Sequence, residues 1–317
     1  MDKGHKYTDK QIEILEKRLK RLYKEVSAEA RKKLTEYLEQ NEERYMELWR
    51  RFDEGEITAG QFEYLILSDD ELETVQGEMV NEYVNGDEKA MSMIGAVLTT
   101  IYAYNHNAQA SKMQGETGIR LPRAIKDDLG VQIGKLVRRR RMLPPPNPDK
   151  MKDRIWHRTK IRLVVNDGLR HGRSIYDIAD NLERVTNMDI GAAIRAARTA
   201  CTNAENQAKL DAMYVLRDEY GVDVKKQWYA TLDNRTRTHH RVLHGEIREL
   251  EEPFSNGLQY PADPQGDPSE VWNCRCTLID VMRGMDDIKH SPNGMSRKEW
   301  INKKPKTKPY PIPKNKR

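Results

Sequence analysis

The chain is 317 residues long, with 33% charged and 37% hydrophobic residues and a formal charge of +5. That length suffices for one large or two ordinary domains, around a core that is modest for its size. Three cysteines exclude a disulfide framework and suit a reducing compartment, and the opening MDKGHKYTDKQ runs into a charged amphipathic pattern unlike a signal peptide.

The modest total hides segregated charge. Residues 51–90 hold 12 acidic and 2 basic residues, a net of −10. Residues 120–162 hold 14 basic and 4 acidic, a net of +10, and residues 283–317 hold 11 basic and 3 acidic, a net of +8. Such blocks favour polyanions or oppositely charged protein surfaces as partners.

Thr8-x-x-Gln11 reads as a capping box, and Ile12, Leu15, Leu19, Leu22 and Val26 follow at spacings of three and four. This seam is under three heptads long, so the expectation is a helix packed on its own chain and not a coiled coil between chains. Helical character continues through Trp49 and Phe52 to Gly55, then over 59–67, 70–84 and 89–110. The apolar stretch 91–104 is too short to cross a bilayer, and no transmembrane segment is expected. Arg138, Arg139, Arg140 and Arg141 run into Met-Leu-Pro-Pro-Pro, which reads as a linker. The four guanidinium groups are the expected contact for DNA or another polyanion.

Helices follow over 153–168 and from the Ser174 N-cap, with Ile175, Ile178 and Leu182 on one face, and a long Ala-rich helix over 189–220 ends at Gly221. The period then changes: residues 222–230 and 276–282 read as strands, separated by a loop rich in Pro and Gly. The expected fold is mainly α. A helical N-terminal region (1–143) precedes a small α+β domain (150–285) with a long helix, short antiparallel strands and a long loop. A basic Lys/Pro-rich tail (286–317) is expected to be disordered.

Two of the three cysteines stand one residue apart in Val271-Trp272-Asn273-Cys274-Arg275-Cys276. With Arg198-Thr199, Gly221-Val222, Trp228, Asp233-x-Arg235-Thr236, His240 and Leu243-x-Gly245, they form an ordered set over roughly 190–282. This set resembles the C-terminal domain of the Mu F-like head morphogenesis proteins, the minor capsid proteins of tailed bacteriophages. The resemblance implies a low-copy protein of the capsid interior, made in the host cytoplasm. Its implied partners are the portal and the major capsid or scaffold protein, with non-specific contact to double-stranded DNA.

Many relatives carry Cys-x-x-Cys after the Asp-x-Arg-Thr element and His-Pro before the final Asn-Cys-Arg-Cys, a set that looks like zinc ligands. Here Arg237 and His240 stand at the first pair, and Val271-Trp272 replace His-Pro. Because of that departure the expected site is a metal-free structural clasp with no cofactor, built by Asp233, Arg235, Thr236, His240, Gly245, Asn273, Cys274, Arg275 and Cys276. In it Asp233 pairs with Arg235 or Arg275, Gly245 takes a positive φ, and the two cysteines lie on opposite faces of a strand. The alternative is zinc held by His240, His244, Cys274 and Cys276, since His240-x-x-x-His244 has a ligand spacing. A metal-dependent hydrolase using this cluster is the competing functional class. No nucleophile motif, Walker pattern or dinucleotide glycine pattern supports it, and the expectation is that the chain is not an enzyme.

Overall fold

The computed structural model describes residues 2–124 and 154–282. The basic run Arg138–Arg141, the linker and the tail lie outside the described residues. So does the expected boundary between the two halves. The fold is mainly α with one small antiparallel sheet.

The first helix, α1, spans Lys3–Gln40 and starts earlier than the capping-box reading places it. Asp2 caps it by accepting the Gly4 amide at 3.0 Å, while Thr8 sits one turn inside and donates to the Gly4 carbonyl. Leu15, Leu19, Tyr23 and Val26 are buried within the chain itself, as expected of a helix that packs on its own chain. After a break at Asn41, α2 (Glu42–Asp53) ends at Gly55, whose φ of +74° needs glycine. Thr58 and Gln61 form a reciprocal capping box ahead of α3 (Ala59–Leu67).

The two helices expected over 70–110 are one, α4 (Asp70–Thr117). Asn85-Gly86 resembles a break, but a Cβ on Gly86 would stand 2.8 Å from the Val26 side chain. The glycine serves close packing of α1 on α4 and does not end the helix. After α5 (Arg154–Arg170) comes α6 (Ile175–Tyr220), capped by Ser174, which accepts the Asp177 amide. It also fuses two expected helices into one, and Gly221 closes it with a φ of +68°.

The strands β1 (Val224–Tyr229) and β3 (Thr277–Met282) pair antiparallel, with Trp228 opposite Leu278. A two-residue strand β2 (Ile247–Arg248) pairs on the other edge of β1, giving the order β2-β1-β3. The intervening segment carries two short helical turns that the sequence reading treats as loop, α7 (Thr238–Leu243) and α8 (Pro268–Val271).

The described residues gather into two compact units, each drawn from separated stretches of chain. One takes residues from 15–93 and 154–194. Its core is a cluster of aliphatic and aromatic side chains including Leu34, Tyr37, Phe62, Ile66, Tyr83, Ile161 and Leu182. The other takes residues from 2–14, 94–124 and 195–282, and its core joins Met113, Met213 and Leu216 to Trp228, Phe254, Leu258, Cys274, Cys276 and Leu278.

Candidate functional site

The segment between β1 and β3 has little regular structure to satisfy its own backbone groups. Polar side chains of α6 do that work. Thr199 Oγ1 accepts the Asn273 amide at 2.9 Å, and Thr202 Oγ1 donates to the Cys274 carbonyl at 3.0 Å. Asn206 Nδ2 donates to the carbonyls of both Cys276 and Pro261 at 3.1 Å, and its Oδ1 accepts the Leu278 amide at 2.7 Å. Asn203 Nδ2 holds the carbonyl of Ala262, a non-glycine residue in the left-handed region at φ +64°. The alanines that fill the same helix, among them Ala196, Ala200, Ala204 and Ala208, are buried and small, so loop and strand lie close enough for these short polar side chains to reach.

Asp233 joins the two ends of the segment. Both of its oxygens accept from the Arg275 guanidinium, at 2.6 and 2.7 Å, and Oδ1 also takes the amides of Arg235 and Thr236. Burial pushes its carboxyl up, but Arg275 outweighs that and holds it down at about 2. Arg235 makes only a 3.5 Å ion pair with the same carboxylate. Gly245 has a φ of +85°, and its amide donates to the Trp228 carbonyl.

His240, Cys274 and Cys276 meet beneath this clasp, each only 2% exposed. The two cysteines do not take opposite faces. Residues 273–276 precede β3, and Asn273, at φ +57°, turns the chain so that both sulfurs face one atom, His240 Nδ1. Cys274 Sγ lies 3.7 Å from it and Cys276 Sγ 3.4 Å. The Cys276 amide donates to Cys274 Sγ at 3.5 Å.

The other imidazole nitrogen, Nε2, donates to Glu270 Oε2 at 3.1 Å, while His239 and Asn256 complete the shell of that carboxylate. Burial lowers the His240 pKa, but Cys274 and Glu270 outweigh it and raise it to about 9. Burial raises the Cys274 thiol, but Cys276 and His240 outweigh that and hold it well below the usual thiol range, whereas burial and its neighbour Cys274 push Cys276 up. His244 does not join this group: its Nδ1 accepts the Ala230 amide at 3.2 Å. Arg237 binds the carbonyls of Glu270 and Trp272 and so fastens α7 to the 270–272 backbone.

Three soft donors within 4.8 Å of one another satisfy the distance requirement for a metal ion. A tetrahedral zinc with Zn–S near 2.3 Å and Zn–N near 2.05 Å places S and N about 3.6 Å apart. The observed 3.4 and 3.7 Å bracket that value. Among the described residues three of the four ligands of a structural zinc site are in place, through His240 and not His244, and thiol–imidazole contacts give the same separations.

Sequence reasoning missed several of the residues that build the site. Glu205 and Lys209 of α6 are fully buried, and Glu205 binds His5 at 3.0 Å and Thr277 at 2.6 Å. Burial raises the Glu205 carboxyl, but His5 and Lys209 hold it far below the ordinary carboxylate range. Asn203 and Asn206 one turn apart, and Glu205 four before Lys209, sit on an Ala-rich face that reads as ordinary core, so nothing short of the fold reveals their partners.

Residues 159–279 match the family described as Phage Mu protein F like protein. The chain is 33% identical over 120 residues to an NAD(+)–arginine ADP-ribosyltransferase of Enterococcus faecalis, covering 37% of this chain and 24% of that protein's length. It is 24% identical over 293 residues to the minor head protein GP7 of Bacillus phage SPP1, covering 88% of this chain and 86% of GP7. A third relative is an uncharacterized protein of Haemophilus influenzae, 26% identical over 65% of this chain and 44% of that protein. No solved structure matches. Among the described residues no helix is long and apolar enough to cross a membrane.

Proposed function

We propose, for a chain that belongs to the Mu F-like phage head morphogenesis family, a role as a low-copy component of the capsid interior that acts in head assembly at the portal. The observation that carries this reading is the match to a phage minor head protein along nearly the whole of both chains. In this reading the N-terminal helical region makes the assembly contacts with portal, capsid or scaffold protein. Its acidic stretch, 51–90, repels DNA and suits a basic protein surface. The basic blocks at 120–162 and 283–317 contact packaged double-stranded DNA through its phosphates and without sequence preference.

The His–Cys cluster has a structural task in this reading and performs no reaction. Its three side chains are buried, its polar neighbours hold backbone groups, and Glu270 occupies the outer nitrogen of His240. The stretch shared with the ADP-ribosyltransferase is a minor part of that enzyme and gives this chain no claim to its reaction. If zinc is bound, it supplies a cross-link between α7 and the start of β3. His240, Cys274 and Cys276 would hold it.

Fractionating infected-cell lysates tests the assignment. The chain is expected to sediment with heads at a few copies each and to be lost from heads assembled without portal protein. Recovery only in the soluble fraction, with heads of normal composition, would contradict it.

A further inference from the structure

We propose that residues 2–9 at the start of α1 form a proton-operated strap, which a protonated His5 fastens over the buried Glu205–Lys209 pair beneath β3. All of these groups belong to one compact unit, the one drawn from 2–14, 94–124 and 195–282.

The strap is closely fitted to α4 and α6. Gly4 lets α1 approach α4, because a Cβ there would collide with the Asn105 side chain. Asn105 Nδ2 donates to Thr8 Oγ1 at 2.9 Å, and the Tyr7 and Tyr104 rings stack with their centroids 3.8 Å apart. His5 turns to α6. Its Nδ1 lies 3.0 and 3.1 Å from the two Glu205 oxygens and donates to that carboxylate, while its Nε2 lies 3.8 Å from Asp9 Oδ2. Asp2, the residue that caps α1, pairs with Lys209.

Beneath the strap lies charge that is costly to bury. Lys209 Nζ donates to Glu205 at 2.8 Å and to Thr277 Oγ1 at 2.5 Å, and Thr277 Oγ1 donates to Glu205 at 2.6 Å. Glu205 and Asp2 are negative and Lys209 is positive, so the group is neutral only when His5 carries its second proton. A neutral His5 leaves one negative charge uncompensated in a site closed to water, and such a charge is strongly destabilising. Lifting residues 2–9 lets water reach it.

The charged groups that face His5 are Glu205 and Lys209 from α6 and Asp9 from its own helix. Arg198 of α6 and Arg275, just before β3, face Asp9 in turn. From α4 and β3 the groups described here, Asn105 and Thr277, are uncharged. Burial lowers the His5 pKa, but Glu205 outweighs that and raises it above the ordinary 6.5. The sign follows: the hold of the strap is complete below about pH 6.5 and is lost as pH rises through the raised folded value. Opening would wet the turn of α6 that also carries Asn203 and Asn206, which hold the carbonyls of Ala262, Pro261 and Cys276. Proton loss at His5 is thereby coupled to the support of the long loop.

Amide hydrogen exchange of the full chain between about pH 6 and pH 9, with each rate divided by the intrinsic rate at that pH, tests the strap. Protection of peptides covering 2–14 is expected to fall about tenfold per pH unit while His5 titrates. Peptides over 34–83 should change little. In His5→Gln the 2–14 peptides should be poorly protected already at pH 6 and show no dependence on pH, with unchanged 34–83 peptides reporting that the chain is folded. Should the variant fail to fold, the wild-type profile decides alone. Protection of 2–14 that stays flat over this range would overturn the proposal. A fall shared equally by 34–83, or a His5→Gln chain that keeps the wild-type profile, would overturn it too.

Discussion

The unit drawn from 15–93 and 154–194 and the segment 230–276 solve the same problem by opposite means. In the first, helices satisfy their own backbone groups, and stripes of Leu, Ile, Phe and Tyr are buried against each other. Most of its ion pairs are exposed, such as Arg50 with Glu47 and Arg162 with Glu73, and add little, the buried contact of His157 with Asp87 being an exception. In the second, the backbone lacks regular partners and is fastened by individual side chains: Asn203, Asn206, Thr202, Asp233 and Arg237. A region held by general apolar burial tolerates conservative exchange, whereas one held by specific polar contacts fails when a single contact is lost.

The sharpest way to break that contrast is the buried ion network beneath β3. Lys209→Met leaves Glu205 buried beside Thr277 with only His5 for charge compensation, at a cost of about 4 kcal/mol in denaturant unfolding. Replacing the exposed Arg50 with methionine should leave the unfolding midpoint close to wild type. Equal effects would erase the distinction.

Cys274→Ser is the next largest. It places a hydroxyl where a buried sulfur faces His240, and thermal unfolding should show a loss of about 2 kcal/mol.

The smallest effect within the clasp comes from the Asp233–Arg275 pair. The folded pKa of Asp233, about 2, lies below its ordinary 3.8. Its contribution is therefore fully present above about pH 4 and is lost as pH falls toward 2. The carboxylate is partly exposed, so solvent screening limits the contribution to about 1 kcal/mol. Asp233→Asn should flatten the wild-type loss of stability between pH 4 and 2. An unchanged pH profile would remove the pair from the clasp.

The same contrast explains what the sequence reveals. Periodicity reports burial, so the seam Leu15, Leu19 and Val26, the 59–67 helix and both longer strands are legible. Glycine misleads where its role is packing: Gly86 reads as an interruption but lies against Val26 inside one helix. The family resemblance identifies Asp233, Arg275, His240, Cys274 and Cys276, yet not that both sulfurs share one imidazole nitrogen, because that depends on the left-handed turn at Asn273. The distant partners of Asn206, Glu205 and Lys209 lie about 55 to 200 residues away and leave no local trace.

Amide hydrogen exchange on Asn206→Ala tests most directly whether specific polar contacts hold 230–276. The substitution leaves the Cys276 and Pro261 carbonyls and the Leu278 amide without this partner. Protection should fall on peptides covering 258–280 and persist over 15–93 and 154–194, with Leu34→Ala giving the reverse pattern. If Asn206→Ala left the 258–280 peptides as protected as wild type, the segment would be held by apolar burial like the rest of the molecule, contradicting the account.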